Sequence, residues 1–157
     1  MTLAERLAET LTQRGWTIAT VESCTAGGLA YRITEIPGAS AYFLGGVIAY
    51  DNQVKTRWVG VPEPIFKQHG AVSAEAAAAM AEGGRQRFDT DVCLAITGIA
   101  GPGGGTPHKP VGTVFISISG RTTTRTERFV FAGDRQTVRD GAIDAALKMA
   151  LDLLAAD

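Results

Sequence analysis

Thr20-Val-Glu-Ser-Cys-Thr-Ala-Gly-Gly28 is the stretch that decides the fold class of this chain. It connects a β-rich run from Trp16 to Val21 with a helical pattern from Ala26 to Ile33, and it places a serine and two glycines at the turn. Turns that lead from a strand into a helix lie at the edge of α/β sheets, where functional side chains are exposed. The stretch therefore predicts an α/β fold and draws attention to Ser23.

The sequence on either side continues the alternation of strands and helices. Leucines at helical spacing before Gly15 predict a first helix, and Asp134 is expected to cap a long last one. The runs 111–119 and 124–132 are predicted to form an antiparallel hairpin. The other expected elements are strands at 43–50 and 91–97, and helices at 52–59, at 64–69 and after Ser73. We predict a single three-layer α/β/α domain over residues 1–157, with a mixed, mostly parallel sheet.

Composition excludes several classes of protein. The 157 residues suit one domain, and 45% hydrophobic with 20% charged residues is typical of globular proteins. Fifteen basic and sixteen acidic residues give a net charge of −1, so a nucleic-acid partner is not expected. No apolar run is long enough to cross a membrane and no secretory signal is visible, so we expect a cytoplasmic protein. Cys24 and Cys93 are expected to be buried thiols rather than a disulfide.

Ser23 has two interpretations. At the end of a strand it resembles a nucleophile lifted above a sheet, although the sequence is not Gly-x-Ser-x-Gly. A serine before a helix is more often an N-cap, unless Thr25 takes that position. Gly27 and Gly28 either let an anionic ligand approach the first helical turn or serve close helix packing. Both pairs of alternatives stay open at this level.

Tyr50 and Lys55 follow the second predicted strand. Because neighbouring parallel strands end at the same edge of a sheet, these residues would face Ser23 across one cleft. Burial lowers the pKa of a lysine, and a neutral lysine acts as the base in serine–lysine enzymes. The alternative is that Lys55 is an ordinary solvated lysine on a helix, which is the commoner situation.

The loop from Thr97 to Thr106 contains five glycines and a proline. It matches neither a P-loop nor a dinucleotide fingerprint. Its main-chain N–H groups, including those of Gly98 and Gly101, are candidates for binding a phosphate or an oxyanion, and Lys109 would add charge at the edge. A plain surface loop explains the composition equally well.

Metal and cofactor binding are not expected. His69 and His108 are isolated, and the two cysteines lack the spacing of metal ligands. A homodimer or higher homo-oligomer is expected only because small α/β enzymes often pair symmetrically.

Taken together, the chain resembles the CinA carboxy-terminal domain family, whose enzymes are nicotinamide-nucleotide amidohydrolases. The motifs that carry the resemblance run in family order over nearly the whole chain: Glu22-Ser-Cys-Thr-Ala-Gly-Gly28, Gly46-Val-Ile-Ala-Tyr-Asp-Asn52 with Lys55, His69-Gly-Ala-Val-Ser73, Thr97-Gly-Ile-Ala-Gly-Pro102, Lys109-Pro-Val-Gly-Thr113 and Gly133-Asp-Arg135. The chain is similar to the stand-alone form of the family, which has no additional amino-terminal domain. The loop segment that contains Gly104 and Thr106-Pro-His108 departs from the family pattern.

The resemblance implies hydrolysis of nicotinamide mononucleotide to nicotinic acid mononucleotide and ammonia, as in pyridine nucleotide salvage. It implies Ser23 as the nucleophile, with Tyr50 and Lys55 activating it and no cofactor or metal. The residues expected to bind this small-molecule substrate are Thr25, Gly27, Gly28, Thr97, Gly98, Gly101 and Lys109. Two alternatives stay open: a non-catalytic nucleotide-binding regulatory module, and a competence-related interaction protein.

Overall fold

A computed structural model describes residues 1–156, which form one β-sheet with helices on both faces. The elements in chain order are α1 Leu3–Arg14, β1 Ile18–Glu22, α2 Gly28–Thr34, a 3₁₀ turn Ala39–Ala41, β2 Phe43–Ile48, α3 Asn52–Val59, α4 Glu63–His69, α5 Ala74–Phe88, β3 Val92–Gly98, β4 Thr113–Ser119, β5 Thr124–Val130 and α6 Arg135–Ala156. The predicted α/β class and nearly all the predicted elements are confirmed.

The order of the strands in the sheet is β2-β1-β3-β4-β5. β1 runs parallel to β2 and to β3, whereas β3 pairs antiparallel with β4 and β4 with β5. The prediction of a mostly parallel sheet was wrong, because half of the strand pairs are antiparallel. The connection from β3 to β4 contains no helix, and a parallel crossover ordinarily needs one, so β4 returns beside β3 in the opposite direction.

Two hydrophobic cores lie on opposite faces of the sheet, which confirms the three layers. Ile18 of β1 faces the core formed with α1, α2 and α6. Ala19 and Val21 of the same strand face the core formed with α3, α4 and α5. All five residues of β1 are buried because this inner strand has a neighbour on each side and is covered on both faces.

Polar side chains begin the helices that the sequence predicted. The hydroxyl of Ser73 accepts a hydrogen bond from the Ala76 N–H at 3.1 Å at the start of α5. The carboxylate of Asp134 accepts from the Thr137 N–H at 2.9 Å at the start of α6. Such a cap stabilises a helix by about 1 kcal/mol. Both predicted caps are confirmed.

Two glycines inside α5 allow this helix to approach its neighbours closely. A β-carbon at Gly83 would overlap the carbonyl oxygen of Val59, the last residue of α3. A β-carbon at Gly84 would lie 2.6 Å from Val21 and 2.7 Å from Cys93. The position of α3 against the rest of the domain therefore depends on the absence of a side chain at Gly83.

Candidate active site

The carboxyl ends of the three parallel strands border a cavity of about 210 Å³. Ser23 follows β1, Tyr50 follows β2, and Thr97 lies near the end of β3. All three residues line the cavity, together with Lys55 from α3 and Arg135 from α6. Crevices at this edge of a parallel sheet are where α/β proteins ordinarily bind ligands.

The central pair of the cavity consists of Ser23 and Lys55. The Nζ atom of Lys55 donates hydrogen bonds to Ser23 Oγ at 3.3 Å and to the Tyr50 carbonyl oxygen at 2.8 Å. Lys55 is only 1% exposed and Ser23 only 8%. The alternative of a solvated Lys55 was wrong, because α3 directs Lys55 and Val59 toward the interior on one face, four residues apart.

Burial lowers the pKa of Lys55 below its usual value near 10.5, while Asp51 and Cys24 act in the opposite direction. A neutral lysine amine carries two N–H donors and one lone pair. With one N–H bonded to the Tyr50 carbonyl, the lone pair is free to accept the hydroxyl proton of Ser23. The arrangement therefore has the geometry of a base beside a nucleophile.

Glu22 is a buried carboxylate that the sequence reasoning did not single out. It is 1% exposed, and its Oε1 accepts hydrogen bonds from Thr25 Oγ1 at 2.6 Å and from the Leu29 N–H at 2.8 Å. Its Oε2 accepts from the Ala30 N–H at 3.0 Å. Glu22 thus binds both the turn after β1 and the first N–H groups of α2.

The N-cap of α2 is neither Ser23 nor Thr25. The cap residue is Gly27, which has φ +95° and contributes no side-chain hydrogen bond. Glu22 performs that task from outside the helix, so the hydroxyl of Ser23 is not needed for capping. This settles the alternative that the sequence left open for Ser23: the residue is not a helix cap.

The turn that holds Ser23 is rigidly connected to the sheet. The Ser23 N–H donates to the Ile96 carbonyl oxygen at 2.9 Å, and Ala26 adopts a positive φ of 49°. The next residue, Cys24, is buried, and burial raises the pKa of its thiol to about 11. Within residues 1–156, the Cys24 N–H bonds to no other residue, and its one contact is with the sulfur of its own side chain. Cys24 therefore offers a main-chain donor beside Ser23.

The predicted ligand loop contributes to the cavity only in part. Gly98 lines it, and Thr97 does too, but the hydroxyl of Thr97 donates to the Ala71 carbonyl oxygen at 2.8 Å. Lys109 lies outside the cavity lining, and its Nζ donates to the His69 carbonyl oxygen at 2.8 Å. In this structure Lys109 connects its loop to the carboxyl end of α4 rather than pointing at a ligand.

Three more predicted residues line a second, adjacent cavity. Thr25, Gly27 and Gly28 border a space of about 410 Å³, across from Gln136 and Arg139 of α6. Ser23 borders the first cavity, so the predicted site residues are divided between two cavities on either side of the turn after β1.

Arg135 is the other site residue that sequence reasoning missed. Its Nη1 donates to the Gly101 carbonyl oxygen at 2.8 Å, and its Nη2 donates to the Tyr50 hydroxyl at 3.3 Å. The sequence signal was the pair Arg135 and Arg139, which lie one helical turn apart at the start of α6. That spacing places both guanidinium groups on the side of α6 that borders the two cavities.

Residues 1–156 contain no group of three or more His, Cys, Asp or Glu side chains arranged to hold a metal ion. Judged by length and hydropathy, none of the helices in this part of the chain is a candidate transmembrane span.

Comparison with known proteins identifies the family. The model of the CinA C-terminal domain matches residues 1–154. A CinA-like protein of Citrifermentans bemidjiense is 53% identical over 135 residues, which are 86% of this chain and 33% of that protein. This chain therefore spans about a third of that curated relative.

Solved structures of similar length agree with this assignment. A CinA superfamily protein of Klebsiella pneumoniae is 32% identical with a TM-score of 0.95, over 99% of this chain and 97% of its own. The competence/damage-inducible protein CihA of Agrobacterium tumefaciens is 36% identical with a TM-score of 0.94, over 98% and 93% of the two chains. The chain belongs to the CinA C-terminal domain family.

Proposed function

We propose that this protein is an amidohydrolase that converts nicotinamide mononucleotide to nicotinic acid mononucleotide and ammonia. The observation that carries the proposal is the contact between Lys55 Nζ and Ser23 Oγ at 3.3 Å, in a cavity at the carboxyl ends of the parallel strands. Membership of the CinA C-terminal domain family supports it, because the sequence resemblance implies this activity.

In the first half of the reaction, Ser23 attacks the carboxamide carbon of the nicotinamide group. Neutral Lys55 takes the hydroxyl proton as the new C–O bond forms, and the carbonyl oxygen becomes an oxyanion. When the C–N bond breaks, the protonated Lys55 gives that proton to the leaving nitrogen. Ammonia departs, and an ester between Ser23 and the nicotinoyl group remains.

In the second half, water replaces ammonia. The water oxygen attacks the ester carbon while Lys55 takes a proton from the water. Lys55 then gives that proton to Ser23 Oγ as the ester bond breaks. The carboxylic acid product loses its remaining proton to solvent and leaves as the carboxylate, and both side chains regain their starting protonation. The Tyr50 main-chain carbonyl takes part by holding the amine of Lys55 in place.

The oxyanion needs hydrogen-bond donors close to the nucleophile. The main-chain N–H of Cys24 meets this requirement best, because it follows Ser23 directly and bonds to no other residue within residues 1–156. Donors placed in this way are worth about 3–4 kcal/mol of transition-state stabilisation in serine hydrolases.

The phosphate of the substrate needs a cation, and α6 supplies two arginines. Arg135 lies at the first cavity with its guanidinium 2.8 Å from the Gly101 carbonyl oxygen. Arg139 lies at the second cavity beside Gly27 and Gly28, and makes no hydrogen bond within residues 1–156. The proposal places the phosphate at these guanidinium groups, which favour phosphate through charge and paired N–H donors.

The direct test is to incubate the protein with nicotinamide mononucleotide and to measure ammonia and the acid product by chromatography. We expect equal amounts of both, no product with Ser23→Ala, and slower turnover of nicotinamide riboside, which lacks the phosphate. Binding of the mononucleotide in calorimetry without any product would instead identify a non-catalytic nucleotide-binding module. Neither binding nor product would leave the competence-related interaction protein.

A further inference from the structure

The segment before α3 holds both ends of Lys55. Lys55 is the fourth residue of α3, which begins at Asn52. Its main-chain N–H donates to the Asp51 carbonyl oxygen at 3.1 Å, and its Nζ donates to the Tyr50 carbonyl oxygen at 2.8 Å. The direction of the lysine side chain toward Ser23 therefore depends on how α3 begins.

Asp51 fixes this beginning. It is the N-cap of α3, with an extended backbone, and its Oδ1 accepts a hydrogen bond from the Gln53 N–H at 2.8 Å. Its carbonyl oxygen also accepts from the Val54 N–H at 3.1 Å. A cap sets the first residue of a helix and thereby which residues share its buried face. For α3 that face carries Lys55 and Val59.

The amine of Lys55 lies where a positive charge is disfavoured. Lys55 is buried, and burial lowers its pKa. It also lies in the first turn of α3, near the positive end of the helix dipole. That turn contains no acidic residue, so the carboxylate at this end of the helix is that of the cap, Asp51. The negative charge of Asp51 opposes the effect of burial on the pKa of Lys55.

Two other carboxylates near the cavity have partners of their own. Glu22 accepts hydrogen bonds from Thr25 and from N–H groups of α2. Glu75, at the start of α5, pairs with His69 at 3.5 Å. The remaining ionisable groups that the surrounding elements bring are not carboxylates: the Cys24 thiol after β1, the Tyr50 hydroxyl after β2, Arg135 of α6, and Arg87 of α5, which lies against Gly60 at the far end of α3. The cap of α3 is thus the carboxylate that acts on the lysine amine.

We propose that Asp51 is a positioning residue for the Ser23–Lys55 pair: it fixes the start of α3 and stabilises the ammonium that forms when Lys55 takes the proton of Ser23. The inference rests on the proposed function, because that function makes Lys55 the base. Asp51 then corresponds to the third group of other catalytic triads, which orients the base and stabilises its protonated form. Without the charge of Asp51, Lys55 becomes neutral at lower pH and is a weaker base.

Two substitutions separate the cap from the charge. Asparagine caps a helix as well as aspartate does, so Asp51→Asn keeps the start of α3 and removes only the charge. We expect the rise of kcat/KM for nicotinamide mononucleotide to shift to lower pH, and the plateau at high pH to fall because the base is weaker. Asp51→Ala also removes the cap, so it should show the same shift and a larger loss of plateau. Asp152→Asn, an exposed position near the carboxyl end of α6, is the matched control and should reproduce the wild-type profile.

Salt provides a second readout. Asp51 is exposed, and the screening length falls from about 10 Å at about 0.1 M salt to about 3 Å at about 1 M. The difference in midpoint between wild type and Asp51→Asn is therefore expected to shrink at the higher salt concentration. A structural role of the cap alone would lower the plateau without any salt-dependent shift of the midpoint, and that result would overturn the inference.

Titration of the lysine side chains by NMR makes the test independent of turnover. The chain contains four lysines, and Lys55→Met identifies the signal of Lys55 by its loss. In the free protein, Lys55 of Asp51→Asn is expected to titrate at lower pH than Lys55 of wild type. Titration of both at the same pH, with circular dichroism showing a folded variant, would overturn the inference and leave the proposed function standing. If the wild-type protein releases no ammonia, the proposed function fails, and the NMR shift alone decides whether Asp51 acts on the amine.

Discussion

Lys55 Nζ lies 3.3 Å from Ser23 Oγ, although the two residues are 32 positions apart in the chain. Ser23 is held by the turn after β1, and Lys55 by the buried face of α3. Neither element alone defines the contact, because it depends on how α3 lies against the sheet. The proposed chemistry rests on this pair, and the first predictions address it.

Replacing Lys55 with methionine keeps the volume of the buried side chain and removes the amine. We expect turnover of nicotinamide mononucleotide to fall by about 10²–10⁴-fold, because a general base contributes that much to a rate. The measurement is ammonia release under saturating substrate. Lys67→Met is the control, since Lys67 is exposed on α4 and should leave the rate unchanged. Wild-type turnover in Lys55→Met would remove the lysine from the mechanism.

The pH dependence of kcat/KM should follow the proton on Lys55. The base must be neutral, and burial lowers the pKa of Lys55 below 10.5. We therefore expect kcat/KM to rise with pH and to level off, with a midpoint below 10.5. A midpoint at or above 10.5, measured from initial rates across alkaline buffers, would contradict a role for the neutral amine.

The same shift predicts how stability varies with pH. In the range between the lowered pKa of Lys55 and its unfolded value near 10.5, unfolding takes up a proton, so the free energy of unfolding rises with pH. Below this range the full cost of burying a charged lysine is present. Lys55→Met should therefore be more stable than wild type at neutral pH, with a difference that shrinks as pH approaches 10.5. Urea unfolding at several pH values measures this, and a constant difference would refute it.

Tyr50→Phe separates the two contacts of Tyr50. Its carbonyl binds Lys55, while its hydroxyl accepts a hydrogen bond from Arg135 at 3.3 Å. Phenylalanine keeps the carbonyl and loses only the hydroxyl, and one such bond is worth about 1 kcal/mol. We expect a loss of turnover of at most about tenfold, smaller than that of Lys55→Met. Equal losses in the two variants would show that the hydroxyl itself acts on the proton, as the resemblance to the family implies.

Glu22→Gln tests the carboxylate beneath the nucleophile turn. Three donors share its two oxygens, and an amide provides only one oxygen. At least one buried donor loses a good acceptor, which costs about 1–3 kcal/mol. Urea unfolding should show this loss, and turnover should fall because the Ser23 turn is less well held. The exposed Glu9→Gln is the control, and equal stability of the two variants would contradict the assignment.

The local elements of this fold can be predicted from sequence, but the direction of β4 cannot. Ser73 and Asp134 predict the helices that follow them, because capping depends only on residues close in the sequence. The pairing of β4 with β3 depends on the path of the loop 99–112. The hydrophobic pattern of the sequence does not indicate that path. The sequence therefore predicted the β4–β5 hairpin and a mixed sheet, but not that β4 pairs antiparallel with β3.

In the candidate site, too, the residues placed by local structure could be predicted and those placed by tertiary contacts could not. Ser23 is placed by the end of β1, and Lys55 by the buried face of α3. Both features can be predicted from the sequence pattern. Lys55 and Val59 share a helix face, so the burial of the lysine was readable in principle. Glu22 and Arg135 act through contacts with N–H groups, a carbonyl and a hydroxyl supplied by other segments. Those contacts exist only once the tertiary structure is formed.

Gly83 of α5 sets how closely α3 packs against α5, and through α3 it sets the position of Lys55. Alanine has a higher helix propensity than glycine, so Gly83→Ala is a substitution that would ordinarily be chosen to stabilise this helix. Here its methyl group would wedge against the Val59 carbonyl and drive α3 outward, carrying Lys55 away from Ser23. Attempts to stabilise this protein by routine helix optimisation should therefore leave Gly83 unchanged, since the damage would occur at the Ser23–Lys55 pair, which residue 83 does not touch.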